Sequence, residues 1–161
     1  MLMRRLFGVV TMLWVGSLLT VGYLTAPVLF ATLARTEAGD VVSRLLRIEA
    51  ILGVVCAVVL WVLCNRLLRA GATGYRRERW IVLLMLACTL LGYFALQPFM
   101  HALRVAAERD GVDLLHSPNA WRFGVLHAVS SLLYLIQSLA GLALVWLLPP
   151  MGGPAVSRAV R

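Results

Sequence analysis

One stripe of residues carries side chains able to do chemistry inside a helix. His127, Ser131, Tyr134, Ser138 and Gly141 recur at spacings of 4, 3, 4 and 3. That spacing lines a single helix face. Three other segments hold side chains that could complete a site with them. Gly16, Thr20, Tyr23, Pro27 and Phe30 make a stripe of small and aromatic residues. Glu49, Gly53 and Cys56 make a second, and Thr89, Gly92 or Tyr93, Gln97 and Met100 a third, with His101 beside it. An imidazole, a carboxylate, an amide, a phenol and a thioether gathered at one level can bind a metal ion, a haem or a small polar ligand.

The elements that must position these residues are membrane spans. The chain has 161 residues, 61% hydrophobic and 14% charged, where a soluble domain carries about 25% charged residues. Leu6 to Ala34 is free of charge for 29 residues, Trp80 to Leu103 for 24 and Phe123 to Leu148 for 26, the last halted by Pro149 and Pro150. Ile48 to Asn65 is apolar apart from Glu49 in its first turn. About 20 helical residues cross a hydrocarbon core of about 30 Å. The expected fold is therefore all-α, an integral-membrane four-helix bundle in a single domain, 1–161. The first run is about twice the length of a signal-peptide core, so it reads as an uncleaved helix. It is too long for an upright crossing, and Pro27 predicts a bend or break near Thr25 to Val28. Val41, Val42, Leu45, Leu46 and Ile48, set against Arg44 and Arg47, predict an amphipathic piece at the interface ahead of the second span. No internal repeat stands out.

Every basic residue is an arginine. Arg4, Arg5, Arg66, Arg69, Arg76, Arg77, Arg79, Arg158 and Arg161 fall on one side of the spans. Arg35, Arg44, Arg47, Arg104, Arg109 and Arg122 fall on the other, with six of the seven acids. The excess of arginine on the first side puts it in the cytoplasm, with both termini. The net charge of +8 belongs to headgroups, not nucleic acid, because no basic stripe with interleaved aromatics sits on a soluble element. Cys56, Cys64 and Cys88 all lie in apolar runs without a C-x-x-C pair, and read as small buried hydrophobes.

Alternating span direction places Tyr23, Glu49, Gln97 and His127 at one depth, in the outer leaflet. The expected ligand site is His127, Glu49, Gln97, Tyr23, Ser131 and Tyr134, with the His127 ring pointing into the bundle. A metal reading takes His127, His101 and Met100. Pro27, Gly16, Gly53 and Gly141 have structural roles in this reading, the glycines letting helix backbones approach. Ser130, one step off the stripe, is expected to close its hydroxyl onto the preceding turn. No nucleophile elbow, metalloprotease helix, phosphate loop or dinucleotide glycine run is present, which weighs against an enzyme.

Leu13-Trp14-Val15-Gly16, Ala26-Pro27-Val28-Leu29-Phe30 and Ala38-Gly39 resemble the opening of a bacterial membrane family called domain of unknown function 4149, which includes the eukaryotic transmembrane protein 205. Phe123 to Leu132 is similar to that family's F-x-x-L-H-x-x-S signature. The resemblance spans roughly Leu6 to Leu148 and implies a small four-helix membrane protein. It extends distantly to the copper-resistance D family and to the bacterial haem-dependent protoporphyrinogen oxidase, which implies copper or haem held by helix histidines. The first span has no histidine, so axial haem ligands would be His127 with His101. The functions expected are ligand or metal binding in a bacterial inner-membrane protein, assembly with itself or another membrane protein, or haem-dependent oxidoreduction.

Overall fold

Apolar residues that return every three or four positions give each span one face to bury, and the four spans bury these faces against one another. The computed structural model describes residues 2–112 and 114–148. It contains four helices long and apolar enough to cross a membrane: α1 (Leu2–Thr32), α2 (Arg35–Arg69), α3 (Tyr75–Arg109) and α4 (Ala120–Trp146). No strand occurs among the described residues. The expected Pro149–Pro150 stop, Asp113, Arg158 and Arg161 lie outside the described residues. The helices form a ring in which α1 and α3 each pack on α2 and α4, and the diagonal pairs make no close backbone approach.

Two tight turns set the pairing. Gly71 (φ 83°) ends α2 and Gly111 (φ 63°) follows α3. In each turn the glycine N–H and the next N–H reach back to helix carbonyls: Gly71 to Leu68 and Ala72 to Leu67, then Gly111 to Glu108 and Val112 to Ala107. This left-handed closure satisfies the last carbonyls of each helix. The amphipathic stretch from Val41 to Ile48 is not a separate interfacial piece. It continues α2, which is unbroken from Arg35 to Arg69 and about 52 Å long at about 1.5 Å per residue.

The core is concentrated at one end of the bundle. Phe7, Trp14 and Leu18 of α1, Leu60 of α2, Met85 of α3 and Leu144 of α4 are fully buried there. At the other end no described residue is buried between Leu19 and Glu37, between Leu90 and Phe99, or between Ala120 and Ile136. The terminal part of α1, Ala26–Thr32, stays against α2, while Leu96–Arg109 of α3 stays against α4. Neither makes a close backbone approach to the opposite pair, and the Arg104 side chain reaches across to Asp40. The helices therefore part as two pairs, α1–α2 and α3–α4, leaving an open end that contains the α1–α2 and α3–α4 connections.

Both α1 and α3 change winding where the pairs part. Residues Thr20–Thr25 and Leu90–Ala95 are π-helical, each followed within a turn by proline, Pro27 and Pro98. The expected perturbation at Pro27 exists, but it lies one turn earlier than Thr25 to Val28 and is a wide turn, not a break. Its cause is tertiary. In an unbroken α-helix the Gly22 N–H would donate to the Leu18 carbonyl. Here the Tyr134 hydroxyl of α4 donates to the Leu18 carbonyl at 2.6 Å, and the Gly22 backbone hydrogen-bonds the same phenol oxygen. A side chain inserted into the ladder widens a helix in this way. Only glycine fits, because a Cβ on residue 22 would lie 2.7 Å from the Tyr134 hydroxyl.

The two pairs repeat one arrangement, contrary to the reading of the sequence as free of repeats. Gly22-Tyr23 and Gly92-Tyr93 occupy the same places in the two π segments. Glu49 with Gly53 in α2 is matched by Gln137 with Gly141 in α4, all four buried.

Candidate functional site

Among the described residues six buried side-chain atoms have no hydrogen-bond partner: Tyr75 Oη, Glu78 Oε2 and Arg79 Nε lie near the α2–α3 turn, and the other three mark the level where the packed end gives way to the open end. Glu49 is 5% exposed and Gln137 is 3% exposed. The Glu49 Oε1 and Gln137 Nε2 atoms are buried, and neither has a hydrogen-bond partner. The Trp14 Nε1–H is in the same position, its indole pressed on Gly53, where a Cβ would come within 2.8 Å of Nε1. A buried polar group without a partner costs free energy, and a buried carboxylate costs most. One acceptor and two donors are thus available to a group of matching polarity.

Tyrosines close this level toward the open end. The Tyr23 hydroxyl donates to Ser138 Oγ at 3.2 Å, and Ser138 donates to the Tyr134 carbonyl at 2.8 Å. The Tyr23 and Tyr134 rings lie 6.1 Å apart. Glu49 and Tyr23 are both within electrostatic range of Tyr134. Tyr23 and Glu49, expected at one depth, both lie in range of Tyr134, expected on the His127 face of α4.

The rest of the expected site is not assembled. His127 shares the Tyr134 face of α4 but is exposed, its ring stacked on Phe123 at 6.1 Å. The expectation of an imidazole inside the bundle is corrected: helical spacing gave its direction, but α1 has left α4 at that height. Ser131 is exposed for the same reason, and Gln97 is half-buried. Ser130 does donate to the His127 carbonyl, at 2.9 Å, as expected. The metal set is not brought together either. Met100 is buried while His101 is exposed, and among the described residues no three His, Cys, Asp or Glu side chains are placed to hold a metal ion. Gly53 and Gly141 pack as expected, Gly141 against Val15 and Met85. Gly16 does not: it is exposed, with nothing near its missing side chain.

Three polar groups of this level were not singled out from the sequence. Gln137 and Trp14 are two of them, and the Leu18 carbonyl freed by the π turn is the third. The first was legible as Gln-x-x-x-Gly repeating Glu-x-x-x-Gly. The carbonyl left no trace in the sequence.

A second recess lies between α2 and α3 at the open end. It encloses about 300 Å³ and is lined by Asp40, Ser43, Arg44, His101, Arg104, Val105 and Glu108. Arg104 donates to Asp40 across it at 3.2 Å.

No curated protein and no solved structure matches the chain. Residues 9–109 match a family described as domain of unknown function (DUF4149). The matched stretch takes in Ala26 to Phe30 and Ala38-Gly39 and ends before the Phe123 to Leu132 segment. With well over half of its length matched and four apolar helices of spanning length, the chain belongs to the domain of unknown function 4149 family.

Proposed function

We propose that this protein is a multi-pass protein of the bacterial inner membrane that takes a small cationic, hydrogen-bonding ligand at the buried level of Glu49, with Glu49 as its charged determinant. The observation that carries this reading is the Glu49 carboxylate, buried with an oxygen that has no hydrogen-bond partner. Such a group is stabilised by a proton or by a cation with N–H donors. Gln137 and the Tyr23–Tyr134 pair orient the ligand, and exposed His127 lies further along the Tyr134 face of α4. This reading does not draw on His101 or His127, which are exposed.

The full-length protein in lipid nanodiscs tests it by thermal unfolding, followed through tryptophan fluorescence. Ammonium and methylammonium chlorides serve as probes, with tetramethylammonium chloride, which has no N–H, as the ionic-strength control. Wild type is expected to gain a few degrees with the first two and nothing with the third, roughly 2–4 °C for each kcal/mol of binding free energy in a domain of this size. Glu49→Gln should lose that response while staying folded. An equal response in Glu49→Gln, or no response in wild type, refutes the reading.

The orientation proposed places both termini and the α2–α3 turn in the cytoplasm, following the arginine excess on that side. A reporter active only in the cytoplasm should work when inserted between Gly71 and Gly74 or fused after Arg161, and be silent at Gly111. Activity at Gly111 would invert the orientation.

A further inference from the structure

We infer that the recess between α2 and α3 binds a phosphate–ammonium zwitterion, with Arg44 holding the phosphate and Glu108 holding the ammonium group. The recess has both signs of charge on opposing helices, Asp40 and Arg44 from α2 and Arg104 and Glu108 from α3. Arg104 and Asp40 satisfy each other and tie the helices together. Among the described residues theirs is the one ion pair, so Arg44 and Glu108 face the recess with their charges unmatched. A ligand with a single charge would satisfy one of them and leave the other. A zwitterion matches both, with guanidinium to phosphate and carboxylate to a primary ammonium. The volume of about 300 Å³ is at the small end of ligand pockets, which run from about 300 to 1,000 Å³.

Depth favours a lipid headgroup as the source. Arg44 lies four residues before the apolar run that opens at Ile48, and Glu108 lies five residues beyond Leu103, where the third apolar run ends. At about 1.5 Å per residue both stand about 6–8 Å outside the hydrocarbon, within the headgroup layer. Below them α2 and the end of α3 make no close backbone approach, so acyl chains can run down between the pairs. The site is independent of Glu49 and stands whether or not Glu49 binds a ligand.

Native mass spectrometry of the full-length protein tests this in micelles doped with equal amounts of phosphatidylethanolamine, phosphatidylcholine and phosphatidylglycerol of identical acyl chains. Wild type should retain phosphatidylethanolamine at least about fivefold over the other two, because only its headgroup offers both a phosphate and N–H donors. Glu108→Gln should erase the preference over phosphatidylcholine. Arg44→Gln should reduce retention of both, because the phosphate is common to them. Both side chains are exposed, so these variants should remain folded, and the wild-type ratios alone decide the outcome if they do not. Soluble phosphoethanolamine forms a second arm. If it raises the unfolding midpoint while no lipid is retained selectively, the zwitterion site holds and its source is a soluble phosphomonoester. Equal retention of all three lipids with no effect of phosphoethanolamine overturns the site. A preference for phosphatidylglycerol also overturns it, since arginine alone would explain that.

Discussion

Trp14→Ala is expected to cost about 3–5 kcal/mol of unfolding free energy, the range for removing a fully buried aromatic side chain. Trp14 is 0% exposed at the inner boundary of the packed end, its indole against Gly53. Trp146 is 90% exposed at the end of α4, and Trp146→Ala should change stability by less than about 0.5 kcal/mol, as for other surface substitutions. Titration with a denaturing detergent in mixed micelles measures both. The contrast follows from the arrangement of the bundle, with side chains interlocked at one end and parted helices at the other. Trp14→Phe separates packing from polarity, because it keeps an aromatic body but removes an N–H that has no protein partner. It should cost well under Trp14→Ala. A loss below about 1 kcal/mol for Trp14→Ala would mean that the packed end is not where stability resides.

Gly22→Ala has the second-largest expected effect. The added methyl would meet the Tyr134 ring and hydroxyl, and overpacking of this kind costs about 1–3 kcal/mol. The two positions should be coupled. Tyr134→Ala empties the space the methyl needs, so in that background Gly22→Ala should be close to neutral, and a double-mutant cycle should give an interaction energy of about 1–3 kcal/mol. Tyr134→Phe removes the inserted hydroxyl but not the ring. It should let the Gly22 amide return to the Leu18 carbonyl, which hydrogen exchange at Gly22 would register as slower exchange. Additivity of Gly22→Ala and Tyr134→Ala within about 0.5 kcal/mol would show that the phenol does not hold the π turn open.

Three of the helices were legible because a charge-free run of 24 or more residues has few alternatives, and the buried faces of α2 and α4 followed from periodicity through Gly53 and Gly141. The site was legible only in part. Periodicity gave the direction of His127 correctly relative to Tyr134, but direction is a property of one helix and burial is a property of two. Gly16 failed for the same reason: small residues permit a close approach without requiring one. The π turn at Thr20–Thr25 depends on a phenol more than a hundred residues away, so no local pattern announces it. The repeat was hidden by one residue of drift, since Pro27 follows Tyr23 by four positions and Pro98 follows Tyr93 by five. Gln137 was passed over because the conspicuous stripe runs through its neighbour, Ser138.

The pairing of Glu49 with Gln137 makes the interior one-sided. Carboxylate and carboxamide are nearly the same shape, so at this level the two halves of the bundle differ in formal charge while matching in outline. Two acids at these positions would put like charges in one dry layer and oblige one of them to keep its proton. Two amides would leave the layer electrically indifferent. With one of each, a charge on Glu49 points the field of the layer toward α2, across the bundle instead of along it.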